Sequence, residues 1–395
     1  MCEYEKMSLE LIDNKFVHLK RCMEMLNAKL LNKKVVLFGC GASGNVIYNY
    51  LKDRNIKVSY FTDNDRTLWG EKWTEENIEC ISPEEAFLLD DSIIFITTKY
   101  VNDIIRQIEE SRANCEYVYP PINMEAFISI IKSSLLDYDS DWVKKCIKQL
   151  FSVLDDDLSK EIVYFKVWGW FASSDEISSY SWEKIYQGNQ YIPKDIISLS
   201  DDATIIDCGA YIGDTLQFFL QKKMKFNKYI AFEMDQSNFN KMQEYVSTLE
   251  PEISNKIETY NVGVGDKERN ILYYSKKFSS FVLHDTEDND MKGETDGINV
   301  TKCVTLDKYL KGKKISYLKM DIEGEEMAAL EGSVATISES HPDCAICIYH
   351  LATDLWEIPL FLHKLNSMYK IKIRQHCKGY YDTVCYAVDR NEGKR

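Results

Sequence analysis

The chain has 395 residues, 45% of them hydrophobic and 28% charged, with 48 basic and 63 acidic side chains giving a formal net charge of −15. That length suits two or three globular domains, and the acidic balance argues against a bulk nucleic-acid binder, which carries a basic field. No apolar run approaches the roughly 18–20 residues that span a bilayer, the polar start MCEYEKMSLELIDNK is no signal peptide, and twelve dispersed cysteines suit reduced thiols, so a cytoplasmic protein is expected.

Residues 1–32 carry apolar side chains at helical spacing (Leu9, Leu11, Ile12, Phe16, Leu19, Met23, Leu26, Leu30) and predict a packing helix pair. A first α/β unit occupies 33–121. The run KVVLF at 34–38 predicts a strand, GCGASG at 39–44 a glycine turn, and 45–53 a helix. A second strand at 58–61 ends at Asp63-Asn64-Asp65. Ser82 and Pro83 mark an N-cap and first helical position, and a third strand at 92–97 precedes a helix at 101–111. Residues 122–195 read as a helical connector, rich in aromatics (Trp142, Trp168, Trp170, Phe171, Trp182), that packs on the second domain.

A second α/β unit fills 196–395. Strands are predicted at 204–207, 229–233, 257–262, 315–321, 345–349, 370–374 and 383–388, the last two as an antiparallel hairpin at one edge. The expected fold is therefore α/β, with two Rossmann-like parallel-sheet units. The acidic stretch 285–296 (DTEDNDMKGETD) reads as a mobile loop.

Two segments of the second unit carry chemistry. In IIDCGAYIGDT, Asp207 ends a strand, Gly209 permits a tight turn, and Gly213 opens a helix whose N–H groups attract carboxylate or phosphate. The next strand ends in Glu233, placed to bond the hydroxyls of a ribose. NAD-type dinucleotides and S-adenosylmethionine both fit. The spacing D-x-G-x-x-x-G puts an acid where a pyrophosphate wants the first glycine of GxGxxG, which favours the cationic amino-acid end of S-adenosylmethionine. The second segment, YLKMDIEGE, ends an apolar strand in Asp321, Glu323 and Glu325. Buried charge is costly unless solvated, paired or coordinating. Asp321 and Glu323 are expected to hold substrate, act as base or bind a cation. One Asp and one Glu without a nearby histidine are a weak metal set, so no metal is expected.

YLKMDIEGEEMAALEGS resembles the signature of the FkbM-type S-adenosylmethionine-dependent methyltransferases. IIDCGAYIGDT, AFEMDQSNFNKM, YNVGVGDKE, VTLDKYL, Tyr349-His350 and KIRQHCKGYYDTVCYAV resemble its other motifs, over about residues 186–390. Glu233-Met234-Asp235 stands where the family commonly shows Glu-Pro-Asp. The resemblance implies a class I methyltransferase fold acting mainly on oxygen, often of sugars or polyketide-like alcohols. By position, Asp207, Gly209, Ala210 and Gly213 would hold the methionine part of the cofactor. Glu233 would hold the ribose, and Asn261, Val262 and Gly263 would lie along the adenine. Asp321 and Glu323 would face the substrate. Asp321 is the first candidate for general base and His350 the second. The expected partner is a small-molecule or glycan substrate of bacterial surface-glycan biosynthesis. An Asp207→Ala change is expected to abolish S-adenosylmethionine binding with the fold intact.

Gly39, Gly41 and Gly44 complete a GxGxxG after the first strand, with Asp63 beyond it. They are candidates for a nucleotide or nucleotide-sugar site. This unit is similar to the Rossmann-like domains at the front of some bacterial surface-polysaccharide enzymes. Two alternatives follow from this unit: an NAD-dependent sugar-nucleotide oxidoreductase, for which no Tyr-x-x-x-Lys or similar catalytic set is visible, and a non-catalytic nucleotide-sugar-binding protein of the same pathway.

Overall fold

The computed structural model describes residues 1–74, 76–111, 115–276, 279–286 and 298–389, with backbone alone for 274–276, 279–286 and 298. The chain divides into two compact units. The first comprises 1–148, 163–182 and 351–353, the second 149–162, 183–350 and 354–395.

The first unit opens with one uninterrupted helix, Glu3–Leu30, rather than a pair. Its apolar residues recur every three or four positions without a glycine or proline to break it, and Ile12, Phe16, Leu19 and Met23 are buried. Six strands follow: β1 (Lys34–Phe38), β2 (Val58–Thr62), β3 (Lys72–Trp73), β4 (Ile78–Ile81), β5 (Ser92–Ile96) and β6 (Glu116–Val118). They form a sheet ordered β3-β4-β2-β1-β5-β6, parallel except for β3 against β4. Val36, Phe38, Ile94 and Ile96 share a core with Ile104 and Ile108 of the helix Val101–Glu110. Ser82 caps the helix Pro83–Phe87 with a reciprocal Ser82–Glu85 capping box. Trp168, Trp170 and Trp182 fall in this unit, where Phe165, Trp168, Tyr180 and Trp182 form one aromatic cluster.

The second unit contains β7 (Thr204–Cys208), β8 (Lys228–Phe232), β9 (Ile257–Tyr260), β10 (Gly263–Val264), β11 (Arg269–Lys276), β12 (Ser279–Thr286), β13 (Ile298–Val304), β14 (Tyr317–Met320), β15 (Asp343–Cys347), β16 (Lys370–Gln375) and β17 (Thr383–Val388). Seven of these make the main sheet, ordered β16-β17-β15-β14-β7-β8-β9. β7, β8, β9, β14 and β15 are parallel. β17 enters antiparallel between β15 and β16, so the closing hairpin forms one edge as expected. The strand order reverses between β7 and β14, and in open α/β sheets ligands bind outside the carboxyl ends of the strands at such a point.

A second, four-stranded sheet, β10-β13-β11-β12, departs from the sequence expectation. Consecutive Ile271, Leu272 and Tyr273 are all buried, so β11 lacks the alternation that announces a half-buried strand. Of the acidic stretch 285–296, Asp285 and Thr286 end β12, and the remainder lies outside the described residues. Among the described residues no helix is long and apolar enough to cross a membrane.

Candidate active site at the carboxyl edge of the second sheet

Two turns meet at the switch point. Gly209 follows β7 with φ +77°, and a Cβ there would stand 1.8 Å from the Asp321 carbonyl oxygen. Only glycine lets these backbones touch. Gly213 (φ +83°) precedes the helix Asp214–Gln221. After β14, Glu323 (φ +62°) and Gly324 (φ +108°) turn the chain sharply. The fully buried Glu326 holds that turn, accepting the Ile322 N–H at 2.8 Å and the Gly324 N–H at 3.0 Å.

A cavity of about 410 Å³ opens between these turns, lined by Gly209, Tyr211, Asp214, Glu233, Val262, Gly263, Lys319, Asp321, Glu323, Glu325 and their apolar neighbours. Glu233 ends β8 and accepts two backbone N–H groups, from Tyr211 and Asp235, each at 2.8 Å. Burial nevertheless pushes its carboxyl up to about 7. The Asn261 side chain does not line the cavity. It donates to the carbonyls of Glu233 and Met234 at 2.9 and 3.1 Å, and so fixes the loop beneath Val262 and Gly263. Ala210 and Gly213 also stand behind the lining, as parts of the turn.

Asp207, expected to meet a ligand amine, is fully buried and faces its own strand neighbour. In the parallel register of β7 and β14 it lies opposite Lys319, with Nζ 2.9 Å from Oδ1. Tyr229 donates its hydroxyl to the other oxygen at 2.5 Å. Lys319 also donates to the Gly209 carbonyl at 2.7 Å and lies 5.2 Å from the Tyr191 ring centroid. Burial alone would lower its pKa. Asp207 and Asp321 raise it, so the ammonium stays charged. A lysine inside the apolar run YLKM is the signal that could have revealed this partner, since a buried lysine needs a carboxylate close by.

Asp321 is partly exposed. Tyr191 donates to Oδ2 at 2.7 Å and Tyr349 to Oδ1 at 3.1 Å. Burial would raise its pKa, but His350, Lys319 and the two phenols hold it below the usual carboxylate range. His350 lies 29 positions along the chain, yet the fold brings it to the same turn. Nδ1 is 3.0 Å from Glu326 Oε1, and Nε2 is 3.5 Å from Asp321 Oδ1 and 3.7 Å from Glu323 Oε2. Burial would lower the imidazole pKa, but Glu326, Asp321 and Glu323 raise it to about 9. In this state His350 is a cation at neutral pH and no proton acceptor, which leaves Asp321 as the candidate base. One donor atom each of Asp321, Glu326 and His350 lie within 4.8 Å of one another, a set able to hold a metal ion. Tyr191 lies outside the quoted motifs, and Lys319 and Glu326 lie inside the acidic signature, but only the fold gives the three their partners.

In the first unit, Gly39 (φ +125°) and Gly44 are required by packing. A Cβ on Gly44 would stand 2.0 Å from the Gly39 carbonyl oxygen, whereas one on Gly41 would meet nothing within 4 Å. Asp63 accepts the N–H groups of Cys40 at 2.9 Å and Asp65 at 3.0 Å, so its carboxylate is already engaged in the turn.

A parallel-dominated α/β sheet with an antiparallel edge hairpin is consistent with a Rossmann-like methyltransferase fold. Residues 207–369 match the family model described as the Methyltransferase FkbM domain, and residues 31–117 that described as C2185-like, N-terminal. Residues 207–369 are thus similar to FkbM-type methyltransferase domains. No curated protein sequence matches it. Among solved structures, methyltransferase FkbM from Methylobacillus flagellatus KT aligns over 95% of this chain and 99% of its own, at 20% identity and a TM-score of 0.60, and therefore shares the fold. A putative rRNA-methylase from Clostridium thermocellum (12% identity, 50% of this chain, 92% of its own, TM-score 0.30) and M. capricolum TrmK in complex with S-adenosylhomocysteine (12%, 49%, 64%, TM-score 0.28) are more distant.

Proposed function

We propose that the second unit binds S-adenosylmethionine and transfers its methyl group to a hydroxyl of a sugar or glycan precursor. The observation that carries the reading is the single cavity in which Gly209, Glu233, Val262 and Gly263 face Asp321 and Glu323. Glu233 suits the ribose hydroxyls, and Val262 and Gly263 supply lining without polar side chains for adenine. The surplus of carboxylates in the lining favours a cationic sulfonium ligand. Lys319 stays charged while holding the Gly209 carbonyl, and so keeps the glycine turn open for the methionine end.

Methyl transfer is an in-line displacement at an already activated sulfonium, so alignment of acceptor oxygen, methyl carbon and sulfur is the main task. The hydroxyl must also lose its proton. Asp321, ionised and oriented by Tyr191 and Tyr349, is the base in this reading. In the first unit, the engaged Asp63 supports a structural role for the glycine turn over a ribose-binding one.

The test is transfer of isotopically labelled methyl from S-adenosylmethionine to a panel of hydroxylated sugars, glycan precursors and matched amines. O-methylated product supports the reading, and methylation confined to the amines would overturn the choice of acceptor.

A further inference from the structure

We propose that His350, Asp321 and Glu323 form a binding site for a divalent metal cation at the wall of the cavity, with Glu326 as the carboxylate behind the histidine. Neither the family match nor the motifs assign such a site.

His350 is 8% exposed, and among the described residues neither ring nitrogen meets the geometry of a hydrogen bond. A buried ring nitrogen without one is costly. Its nearest charged atoms are Asp321 Oδ1 at 3.5 Å and Glu323 Oε2 at 3.7 Å. Both separations are too long for a good hydrogen bond, which lies near 2.7–3.2 Å. They are close to the spacing of two atoms bound side by side to one ion, about 3–3.7 Å for bond lengths of roughly 2.0–2.3 Å.

The opposite nitrogen supplies an independent observation. Nδ1 stands 3.0 Å from Glu326 Oε1. A carboxylate on the far nitrogen is the usual support of a metal-bound histidine: the arriving cation displaces the Nε2 proton to solvent, and the carboxylate favours keeping the other proton on Nδ1. Glu326 is itself fixed by two backbone N–H groups, so the carboxylate beside Nδ1 is in place before any ion arrives. Two carboxylates and one imidazole suit first-row divalent cations such as Mn²⁺. Asp321 and Glu323 line the cavity, so an ion held there would face the acceptor and polarise its hydroxyl. That role depends on the methyl-transfer reading, whereas binding of the cation does not.

The experiment uses the full chain, dialysed against EDTA and then titrated with Mn²⁺ by calorimetry and electron paramagnetic resonance. S-adenosylhomocysteine binding and thermal unfolding are measured on the same samples. Expected is one Mn²⁺ per chain, with affinity at least tenfold weaker in both His350→Gln and Asp321→Asn. Two variants are used so that one that fails to fold does not decide the result. Absence of saturable Mn²⁺ binding at millimolar concentration, or binding that both folded variants retain, would overturn the proposal. Loss of S-adenosylhomocysteine binding in the unaltered protein would instead overturn the methyltransferase reading.

Discussion

Lys319 Nζ lies 2.9 Å from Asp207 Oδ1 across the β7–β14 pair, with both side chains excluded from solvent. The acid of the first glycine motif is therefore paired with the strand that carries the acidic signature, and Lys319, which also holds the Gly209 carbonyl, stands in the cavity lining where Asp207 does not. Removing one member of a buried pair leaves an uncompensated charge, at a cost of about 3–5 kcal/mol. Asp207→Ala is expected to lower stability by about that much in urea unfolding, contrary to the expectation of an intact fold. Asp207→Leu combined with Lys319→Met should cost clearly less. An Asp207→Ala variant with an unchanged unfolding midpoint and no S-adenosylmethionine binding would show that Asp207 is a direct ligand after all.

Glu233 provides a pH signature. Its carboxyl is pushed from 4.5 to about 7 by burial, so the fold holds this proton more tightly than the unfolded chain does. Its contribution to stability is fully present below about 4.5 and is lost as pH rises through about 7. The ionised form is the better acceptor for ribose hydroxyls. Cofactor affinity is accordingly expected to rise about tenfold between pH 6 and pH 8, and Glu233→Gln should flatten that rise. A flat profile in the unaltered protein would separate Glu233 from the ligand.

The two glycine turns should respond differently to one methyl group. Gly209→Ala places a Cβ 1.8 Å from the Asp321 carbonyl oxygen at φ +77°, so the ends of β7 and β14 must separate. Loss of cofactor binding is expected, with destabilisation of about 1–3 kcal/mol from the backbone alone. Gly41→Ala meets no atom within 4 Å, and its effect on stability should stay within about 0.5 kcal/mol. Cofactor affinity should be unchanged. Thermal unfolding and ligand titration of both variants check the contrast.

His376 makes acid sensitivity measurable. Nδ1 lies 2.7 Å from the Gln187 carbonyl oxygen and Nε2 2.8 Å from the Tyr386 hydroxyl, while Tyr386 also accepts the Tyr191 N–H. Burial lowers the imidazole pKa from 6.5 to about 4, helped by nearby Arg374. The unfolded chain binds the proton more readily, so stability falls as pH drops from about 6.5 to about 4, by about 3 kcal/mol for a shift of this size. His376→Gln should reduce that dependence in denaturant titrations at several pH values. An unchanged dependence would place the sensitivity elsewhere.

Much of this architecture is legible in the sequence, for reasons that particular residues show. Apolar runs ending in glycine or acid marked β1, β7, β8 and β14, because strands buried on both faces read as continuous hydrophobic stretches. Ser82 and Pro83 announced a helix start through capping chemistry that depends on neighbouring residues alone. The four-stranded sheet was not legible, since Ile271, Leu272 and Tyr273 break the alternation. That Gly209, Glu233, Asp321 and Glu323 come to one cavity was legible, because each ends a strand or makes a turn. The surroundings of Asp207 and His350 were not legible, because Lys319 is brought to Asp207 by register across β7 and β14 and Glu326 to His350 by the placement of the helix Glu326–Glu331. Nothing in a linear pattern states that Lys319 stands opposite Asp207.

The central claim is that the cavity between Gly209, Glu233 and Asp321 is an S-adenosylmethionine site. Calorimetric titration of the full chain with S-adenosylmethionine and, in parallel, with NAD tests it most directly. The account predicts saturable one-to-one binding of S-adenosylmethionine, competed by S-adenosylhomocysteine, weakened by Glu233→Ala and unaffected by NAD. Saturable NAD binding that Glu233→Ala abolishes, with no binding of S-adenosylmethionine, would contradict it.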